Sequence, residues 1–376
     1  MNVFDYLSWR GDLTFLQASF SEVDNLLISL LSYVDLNGIF PDQEDRKDGL
    51  QLKEISDRFF FLHSAKELNN DHSLLRKMPQ VLKAMGASPR FRDLRLFHYC
   101  DQFDKSRLLQ FAALELRLPD GTSFLSFRGT DDSLAGWEES FRMSTGTVEA
   151  GRAATAYTVC AAARTEGKLL LGGHSKGGNL AIYAAATVPE DVRSRIAAVY
   201  SNDGPGFLPD FLARPAMQEL SGRITTIIPR DSVVGMLMTP ASEPIRVKSS
   251  ARGLLQHDGL TWSVLGPHFV QCPKPGPLVA HVNASLSAWL DTLTEDTRDR
   301  VIHDLFTVLE SSGATTLSEL MDGGIRTIYM LRKSTEALNP ESRQVIQQLL
   351  LTITKPSRKE RKMRSEEHTS ELQSQR

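Results

Sequence analysis

A serine lies between two glycines in the pentapeptide Gly173-His174-Ser175-Lys176-Gly177, which fits the pattern G-x-S-x-G. The apolar run Lys168 to Leu171 precedes it, and the helical pattern Lys176 to Thr187 follows it. A sharp turn between a strand and a helix would expose the hydroxyl of Ser175, and the glycines would let the two elements approach closely. The pattern predicts a nucleophile. The alternative is a glycine-rich connection between strand and helix that packs tightly or binds an anion at the helix N-terminus.

A serine nucleophile needs a base, and histidine is the usual one. Four histidines follow the pentapeptide before the C-terminal tail: His257, His268, His281 and His303. His257 lies in a loop-like segment just before the apparent strand Leu260 to Val264, and we expect it to be the base. His268, next to Gly266-Pro267, is the reserve candidate, and the other two lie in helical patterns. His174 precedes the serine, and we expect it to have a packing role.

An acid must orient the histidine, and two aspartates follow strand-like runs. Asp203 comes after Ile196 to Tyr200, and Asp231 comes after Arg223 to Ile228. Both would lie at the carboxyl edge of a parallel sheet, where ligands bind. Asp203 could instead be a turn residue, because Asn-Asp-Gly-Pro-Gly is typical of turns. The spacing leaves the choice open.

The oxyanion that forms during acyl transfer needs hydrogen-bond donors. The backbone N–H of Lys176, directly after the serine, would be one donor. The second is expected at an earlier junction between a strand and a loop, where Gly129 allows close approach of the backbone and Thr130 offers an N–H and a hydroxyl.

The elements that must position these residues follow an α/β pattern. Residues 13–90 look mostly helical, three strand-like runs follow between 94 and 127, and helices alternate with strands after Gly151. This alternation predicts a mostly parallel sheet with flanking helices. Beyond Pro277 the pattern is helical again, which predicts a C-terminal helical extension.

These shifts in pattern divide the chain. We predict one domain over residues 1–292, including the N-terminal helices, a helical extension over 293–354, and a disordered basic and polar tail over 355–376. Residues 364–376 contain a segment that resembles the translation of a sequencing-library adapter, so we leave them out of the functional argument.

Composition excludes several classes of function. The 376 residues carry a formal net charge of −3, which offers no large positive field for nucleic acid. Three scattered cysteines predict neither a disulfide framework nor a zinc site, and we expect no metal and no organic cofactor. No run reaches the roughly 18 apolar residues of a membrane span. We therefore expect a cytoplasmic protein with at most peripheral membrane contact.

The combined motifs resemble class 3 (fungal-type) lipases of the α/β-hydrolase fold. The shared features are Phe127-Arg128-Gly129-Thr130 with Trp137, then the serine motif, then an aspartate and a histidine. The chain resembles more closely the bacterial Mbeg1-like domain of unknown function, through blocks that begin at Asn2 and recur to about residue 350. The resemblance implies Ser175 as nucleophile, Asp231 as acid, His257 as base and Thr130 as oxyanion donor. It thereby favours Asp231 and leaves Asp203 as the alternative.

These observations predict a serine hydrolase that cleaves a carboxylic ester or lipid through an acyl-enzyme. The alternatives are a non-catalytic domain of the same fold that binds a ligand or partner, and an acyltransferase. Lys176 departs from the apolar or amide residue that secreted lipases of this group carry after the serine. It is either a solvated residue of the first helical turn or a cation near the serine that favours an anionic acyl ester.

Overall fold

A computed structural model of the chain describes residues 1–40, 48–69, 74–104, 109–130, 134, 138, 149–232, 234–272, 295–316, 319–320, 329–331, 333–340, 342–343 and 346–347. The predicted boundary at 292/293, the predicted tail and His281 lie outside these residues. Among the described residues, no helix is both long and apolar enough to cross a membrane.

An eight-stranded sheet forms the centre of the fold, with its strands in chain order from β1 to β8. The strands are β1 Leu50–Gln51, β2 Arg95–Asp104, β3 Leu109–Arg117, β4 Ser123–Phe127, β5 Leu169–His174, β6 Ile196–Asn202, β7 Ile224–Pro229 and β8 Ile245–Val247. Strands β1 to β4 pair antiparallel, and β4 to β8 pair parallel. A separate two-stranded ribbon, β9 Val264–Leu265 and β10 His268–Phe269, completes the described strands.

Helices cover both faces of the sheet. They are α1 Val3–Arg10, α2 Glu22–Leu31, α3 Leu52–Leu62, α4 Ala65–Asn69, α5 Met78–Ala87, α6 Glu149–Ala163, α7 Lys176–Thr187, α8 Glu190–Ser194, α9 Pro209–Leu212, α10 Pro215–Glu219 and α11 Glu295–Glu310. The predicted α/β class is confirmed. The predicted helix from Lys176 to Thr187 has the bounds of α7.

The alternation of side chains along the inner strands makes two cores. Leu114 and Leu116 of β3 point to the face covered by the N-terminal helices, whereas Phe111 and Ala113 point to the face covered by α6 and α7. Both faces of the sheet are therefore buried, as expected for a sheet between two layers of helices.

A third, smaller core joins α11 to the loops at the carboxyl edge of the sheet. Phe306 and Leu305 of α11 are buried together with Leu134 and Val234. The backbone N–H of Leu134 also donates to the carbonyl of Thr315 at 2.9 Å. The C-terminal helical segment therefore packs against loops that follow β4 and β7.

The N-terminal helices are anchored by a buried ion pair. Arg90 donates to both carboxylate oxygens of Asp24, at 2.8 and 2.6 Å, and both side chains are almost fully buried. The same guanidinium donates to carbonyls of Leu13 and Ala18. Burial, and then the charge of Asp24, raise the pKa of the neighbouring Tyr6 to about 12. The network fixes α2 against the loop that precedes it.

Candidate active site

The serine motif forms a sharp turn between β5 and α7. Ser175 has φ 58° and ψ −132°, a backbone conformation that L-residues rarely adopt and that surrounding structure must hold in place. Its N–H donates to the carbonyl of Asn202 at 2.9 Å. The side chain is buried, with 3% exposure. The turn thus fixes the serine at the carboxyl edge of the sheet.

Two glycines make this turn possible. A Cβ on Gly173 would lie 2.3 Å from the carbonyl carbon of Gly177, and a Cβ on Gly177 would lie 2.0 Å from the carbonyl oxygen of Phe127. Each contact is with backbone, which cannot move aside as a side chain can. The spacing of the glycines therefore has the steric cause that the sequence pattern implied.

His257 forms a hydrogen bond with Asp203. Its Nδ1 lies 2.7 Å from Asp203 Oδ2, and both side chains are largely buried. A carboxylate at this position can only accept, so Nδ1 carries the proton. In the neutral imidazole Nε2 is then the basic nitrogen, the atom that a general base uses. Asp203 itself has φ 54° and directly follows β6.

Asp203 has further donors on its other oxygen. Ser232 Oγ donates to Oδ1 at 2.5 Å, and the N–H of Gly235 donates to Oδ1 at 3.2 Å. These two donors come from the loop after β7, so that loop holds the carboxylate from the side opposite to His257. No motif in the sequence indicated that Ser232 and Gly235 would contact the site; they only follow a predicted strand.

The preference for Asp231 as the acid is corrected by these contacts. Asp231 Oδ2 accepts from the guanidinium of its neighbour Arg230, at 3.0 and 3.1 Å. The carboxylate that meets His257 belongs to Asp203, one strand earlier. The sequence did not identify Asp203 as the partner of His257, because an aspartate in a turn and a buried aspartate that accepts hydrogen bonds can have the same neighbours in sequence.

His174 connects the serine turn to His257. Its Nε2 lies 2.7 Å from the carbonyl oxygen of His257, and the two rings are 4.6 Å apart. Its Nδ1 lies 3.0 Å from Tyr33 Oη. Because His174 precedes Ser175 directly, these contacts bring His257 beside the turn. The expected packing role of His174 is therefore incomplete, since both ring nitrogens are hydrogen-bonded.

Of the residues expected to donate to an oxyanion, Lys176 directly follows the serine in the chain, and Thr130 follows a glycine that packs on the serine. Gly129 packs so tightly that a Cβ there would lie 3.0 Å from Ser175 Cβ and 2.5 Å from the carbonyl oxygen of His174. Thr130 follows it and is buried. Lys176 is the first residue of α7, and N–H groups of a first helical turn point out along the helix axis.

An ion pair holds the strand end that leads to Thr130. Arg128 donates to both carboxylate oxygens of Asp101 on β2, at 2.8 and 2.7 Å. This charge and its hydrogen bonds raise the pKa of Arg128 despite the opposing effect of burial. The guanidinium therefore stays charged and fixes the chain just before Gly129.

The expectation that the side chain of Lys176 is solvated is wrong. It is 1% exposed, and its ammonium donates to the carbonyl of Gln110 on β3 at 3.0 Å. The side chain is thus not solvated. Its ammonium is held by the backbone of β3, which weakens the expectation of an anionic substrate.

The reserve histidines lie elsewhere. His268 is exposed, with its Nδ1 at 3.6 Å from Glu22 Oε1, and His303 is exposed with its Nδ1 at 3.3 Å from Glu138 Oε1. The expected strand from Leu260 to Val264 is wrong except at its last residue, which begins β9. A short 3-10 turn, Gly259–Thr261, occupies its first two residues, and Asp258 caps that turn by accepting from Leu260 N.

The comparisons with known proteins give a family and one structural likeness. A family model described as Mbeg1-like matches residues 85–307. A solved structure described as a native Rhizomucor miehei lipase propeptide complex is similar at 16% identity and a TM-score of 0.34, over 48% of this chain and 71% of that one. No curated protein matches the chain.

Proposed function

Because this chain belongs to the Mbeg1-like family, and because its serine turn lies beside a hydrogen-bonded histidine and aspartate, we propose that it is a serine hydrolase. The substrate would be a carboxylic ester, such as a lipid ester. The contact between His257 Nδ1 and Asp203 Oδ2 supports this proposal most strongly. It leaves the other imidazole nitrogen as the base for a neighbouring hydroxyl.

The reaction would proceed in two halves. Ser175 Oγ attacks the ester carbonyl while His257 Nε2 takes the hydroxyl proton, and the imidazolium then gives this proton to the leaving alcohol. The C–O bond to the alcohol breaks, which leaves an acyl ester on Ser175. Water then attacks this ester, with His257 again accepting and returning the proton, and the carboxylic acid is released.

The remaining groups have electrostatic roles. Asp203 stabilises the imidazolium and holds its orientation, and Ser232 and Gly235 hold the carboxylate. The N–H groups of Lys176 and Thr130 would stabilise the negative oxygen of the tetrahedral intermediates. In this scheme every proton transfer uses a group of the chain or the attacking water.

Labelling with a fluorophosphonate probe tests the proposal. The full-length protein should become phosphonylated at Ser175, as identified by mass spectrometry of its peptides. Ser175→Ala should abolish labelling while the circular dichroism spectrum stays unchanged. Ser201→Ala, at a buried serine of β6, serves as the matched control and should still label.

Two outcomes contradict the proposal. One is a folded wild-type protein that stays unlabelled in a buffer where a known serine esterase reacts. The other is labelling that persists in Ser175→Ala. A folded protein that does not label but binds a short acyl ester in calorimetry would favour a non-catalytic binding domain. Transfer of the acyl group to an added alcohol, in preference to water, would identify an acyltransferase.

A further inference from the structure

We propose that Tyr33 and His174 are positioning residues for His257, acting through its backbone; this inference rests on the proposed function. Tyr33 Oη lies 3.0 Å from His174 Nδ1, and His174 Nε2 lies 2.7 Å from the carbonyl oxygen of His257. Tyr33 and His174 are both buried. The contacts join α2, the serine turn and the loop that carries the base.

The chemistry of the three groups determines which atom donates and which accepts in each of these hydrogen bonds. The carbonyl of His257 can only accept, so Nε2 of His174 must carry a proton. Burial, and then the proximity of His257, lower the pKa of His174 to about 3, so the ring is neutral at pH 7. Its Nδ1 therefore has no proton and accepts from the hydroxyl of Tyr33 at 3.0 Å, closer than the second acceptor of that hydroxyl, the carbonyl of His174 at 3.3 Å. One tautomer satisfies both contacts.

The series supplies a restraint that the Asp203 contact does not. Asp203 holds the ring of His257 at Nδ1, whereas His174 holds the peptide carbonyl of the same residue. His257 ends the short 3-10 segment Gly253–His257, whose first residue has φ 56°. Within the same segment, the carbonyl of Gln256 accepts from Trp262 Nε1 at 2.8 Å. Restraints on both the ring and the backbone fix where Nε2 points.

The residue that holds the carbonyl of His257 is also joined covalently to the nucleophile. His174 is adjacent to Ser175 in the chain, so its hydrogen bond couples the backbone of the nucleophile to that of the base across 83 positions of sequence. The side chain of His174 is thus one of the restraints on the separation of the two groups. A base displaced by about 1 Å can lower a rate by about 100-fold, so this restraint affects reactivity.

Three variants test the proposal by the second-order rate of fluorophosphonate labelling and by kcat and KM for a short-chain ester. His174→Met removes the donor at similar size and should lower the labelling rate and kcat by about 10- to 100-fold, with KM changed little. His174→Gln keeps an N–H donor of similar reach and should recover most of the rate. Tyr33→Phe should lower the rate by about 3- to 10-fold, because the tautomer of His174 is no longer held.

Coupling distinguishes positioning from general stabilisation. Because Tyr33 acts on the ring of His174, Tyr33→Phe should lower the labelling rate by less in the His174→Met background than in the wild type; the contact of Tyr33 Oη with the His174 carbonyl, at 3.3 Å, remains in both backgrounds. Tyr157→Phe is the matched control. Tyr157 has the same 8% exposure as Tyr33 and donates to the carbonyl of His98 at 2.7 Å, away from the serine turn. This control should lose a similar amount of stability and keep the wild-type labelling rate.

The outcomes separate this inference from the proposed function. If the wild type labels at Ser175 and both His174→Met and Tyr33→Phe label within about twofold of it, the inference is overturned and the proposed function stands. If His174→Met does not fold, Tyr33→Phe carries the test alone, and an unchanged rate in that variant overturns the inference. A wild type that never labels contradicts the proposed function itself.

Discussion

Asp203 Oδ2 accepts the Nδ1 proton of His257 at 2.7 Å, across 54 positions of sequence. Asp203 directly follows β6, and the second oxygen of its carboxylate accepts hydrogen bonds from the loop after β7. One loop therefore supplies the carboxylate that meets His257, and the other holds that carboxylate in place. Asp231 lies in the loop that orients this carboxylate, whereas the residue that contacts the imidazole is Asp203.

Exchanging each aspartate for asparagine distinguishes the two residues. Asp203→Asn should lower kcat for a short-chain ester by about 1,000- to 10,000-fold, because the amide no longer selects the Nδ1–H tautomer or stabilises the imidazolium. Asp231→Asn should change kcat by no more than about twofold. Steady-state hydrolysis assays of both folded variants make the comparison. A larger loss in Asp231→Asn would refute the assignment.

The sequence predicted the local parts of the site better than the contacts between distant parts. The turn at Ser175 and the bounds of α7 depend on glycines that lie within a few residues of each other, so the pattern contains the cause. The choice between Asp203 and Asp231 depends on which strand end faces His257. Both aspartates follow neighbouring strands at one edge, and no local pattern separates them.

Tyr33 shows a second reason why sequence patterns were insufficient. It lies just after α2, within the stretch 13–90 that the sequence predicts as mostly helical, and its ring is buried. Its hydroxyl contacts His174 only because α2 packs against the end of β5. Likewise, the apolar run around Leu260 predicted a strand, but the side chain of Asp258 caps a 3-10 turn there.

The buried pair of Arg90 and Asp24 should dominate the stability of the N-terminal layer. Arg90→Met removes the guanidinium and leaves the Asp24 carboxylate buried without its cation. Leaving one buried charge unpaired costs about 3–5 kcal/mol, so the free energy of unfolding in a denaturant titration should fall by that amount.

An exposed ion pair provides the control for this measurement. Lys53 and Asp57 form a contact of 2.6 Å on α3, with side chains 57% and 66% exposed. Solvent screens such a pair, so Lys53→Met should leave the free energy of unfolding within error of the wild type. Equal effects of Arg90→Met and Lys53→Met would contradict the structural importance of the buried pair.

Gly177→Ala should damage the site through backbone contact. The new Cβ would lie 2.0 Å from the carbonyl oxygen of Phe127, so β4 and α7 must separate and the loop at Gly129 and Thr130 must move. We expect a lower thermal midpoint and labelling slower by about 100-fold or more. Gly222→Ala, where φ is 81° and the space is open, should cost about 1 kcal/mol and keep the labelling rate. Wild-type labelling in Gly177→Ala would contradict this steric argument.

The buried ammonium of Lys176 predicts no preference for charged substrates. Lys176→Met removes the hydrogen bond to Gln110 and should lower the thermal midpoint. The ratio of kcat/KM for an anionic ester to that for a neutral ester of equal chain length should change by no more than about twofold, because selectivity requires direct contact with the substrate. A selective loss of activity on the anionic ester would show that the ammonium reaches the substrate.

His174 should make the protein less stable in acid. Its pKa is about 3 in the folded state, against a usual value of 6.5. Between these values the unfolded chain binds one proton that the folded chain does not. The free energy of unfolding must therefore fall as the pH falls, with a contribution approaching about 1.4 kcal/mol per pH unit. This loss begins near pH 6.5 and continues towards pH 3.

His174→Gln removes this contribution and leaves the other titrating groups in place. Denaturant titrations of both proteins between pH 6.5 and pH 4.5 should give a shallower pH dependence for the variant. At the acidic end of this range, the slopes of the free energy of unfolding against pH should differ by nearly the amount that corresponds to one bound proton. Curves of equal slope would mean that the imidazole of His174 is protonated while the protein stays folded. The neutral tautomer that joins Tyr33 to His257 would then not be the form present in mild acid.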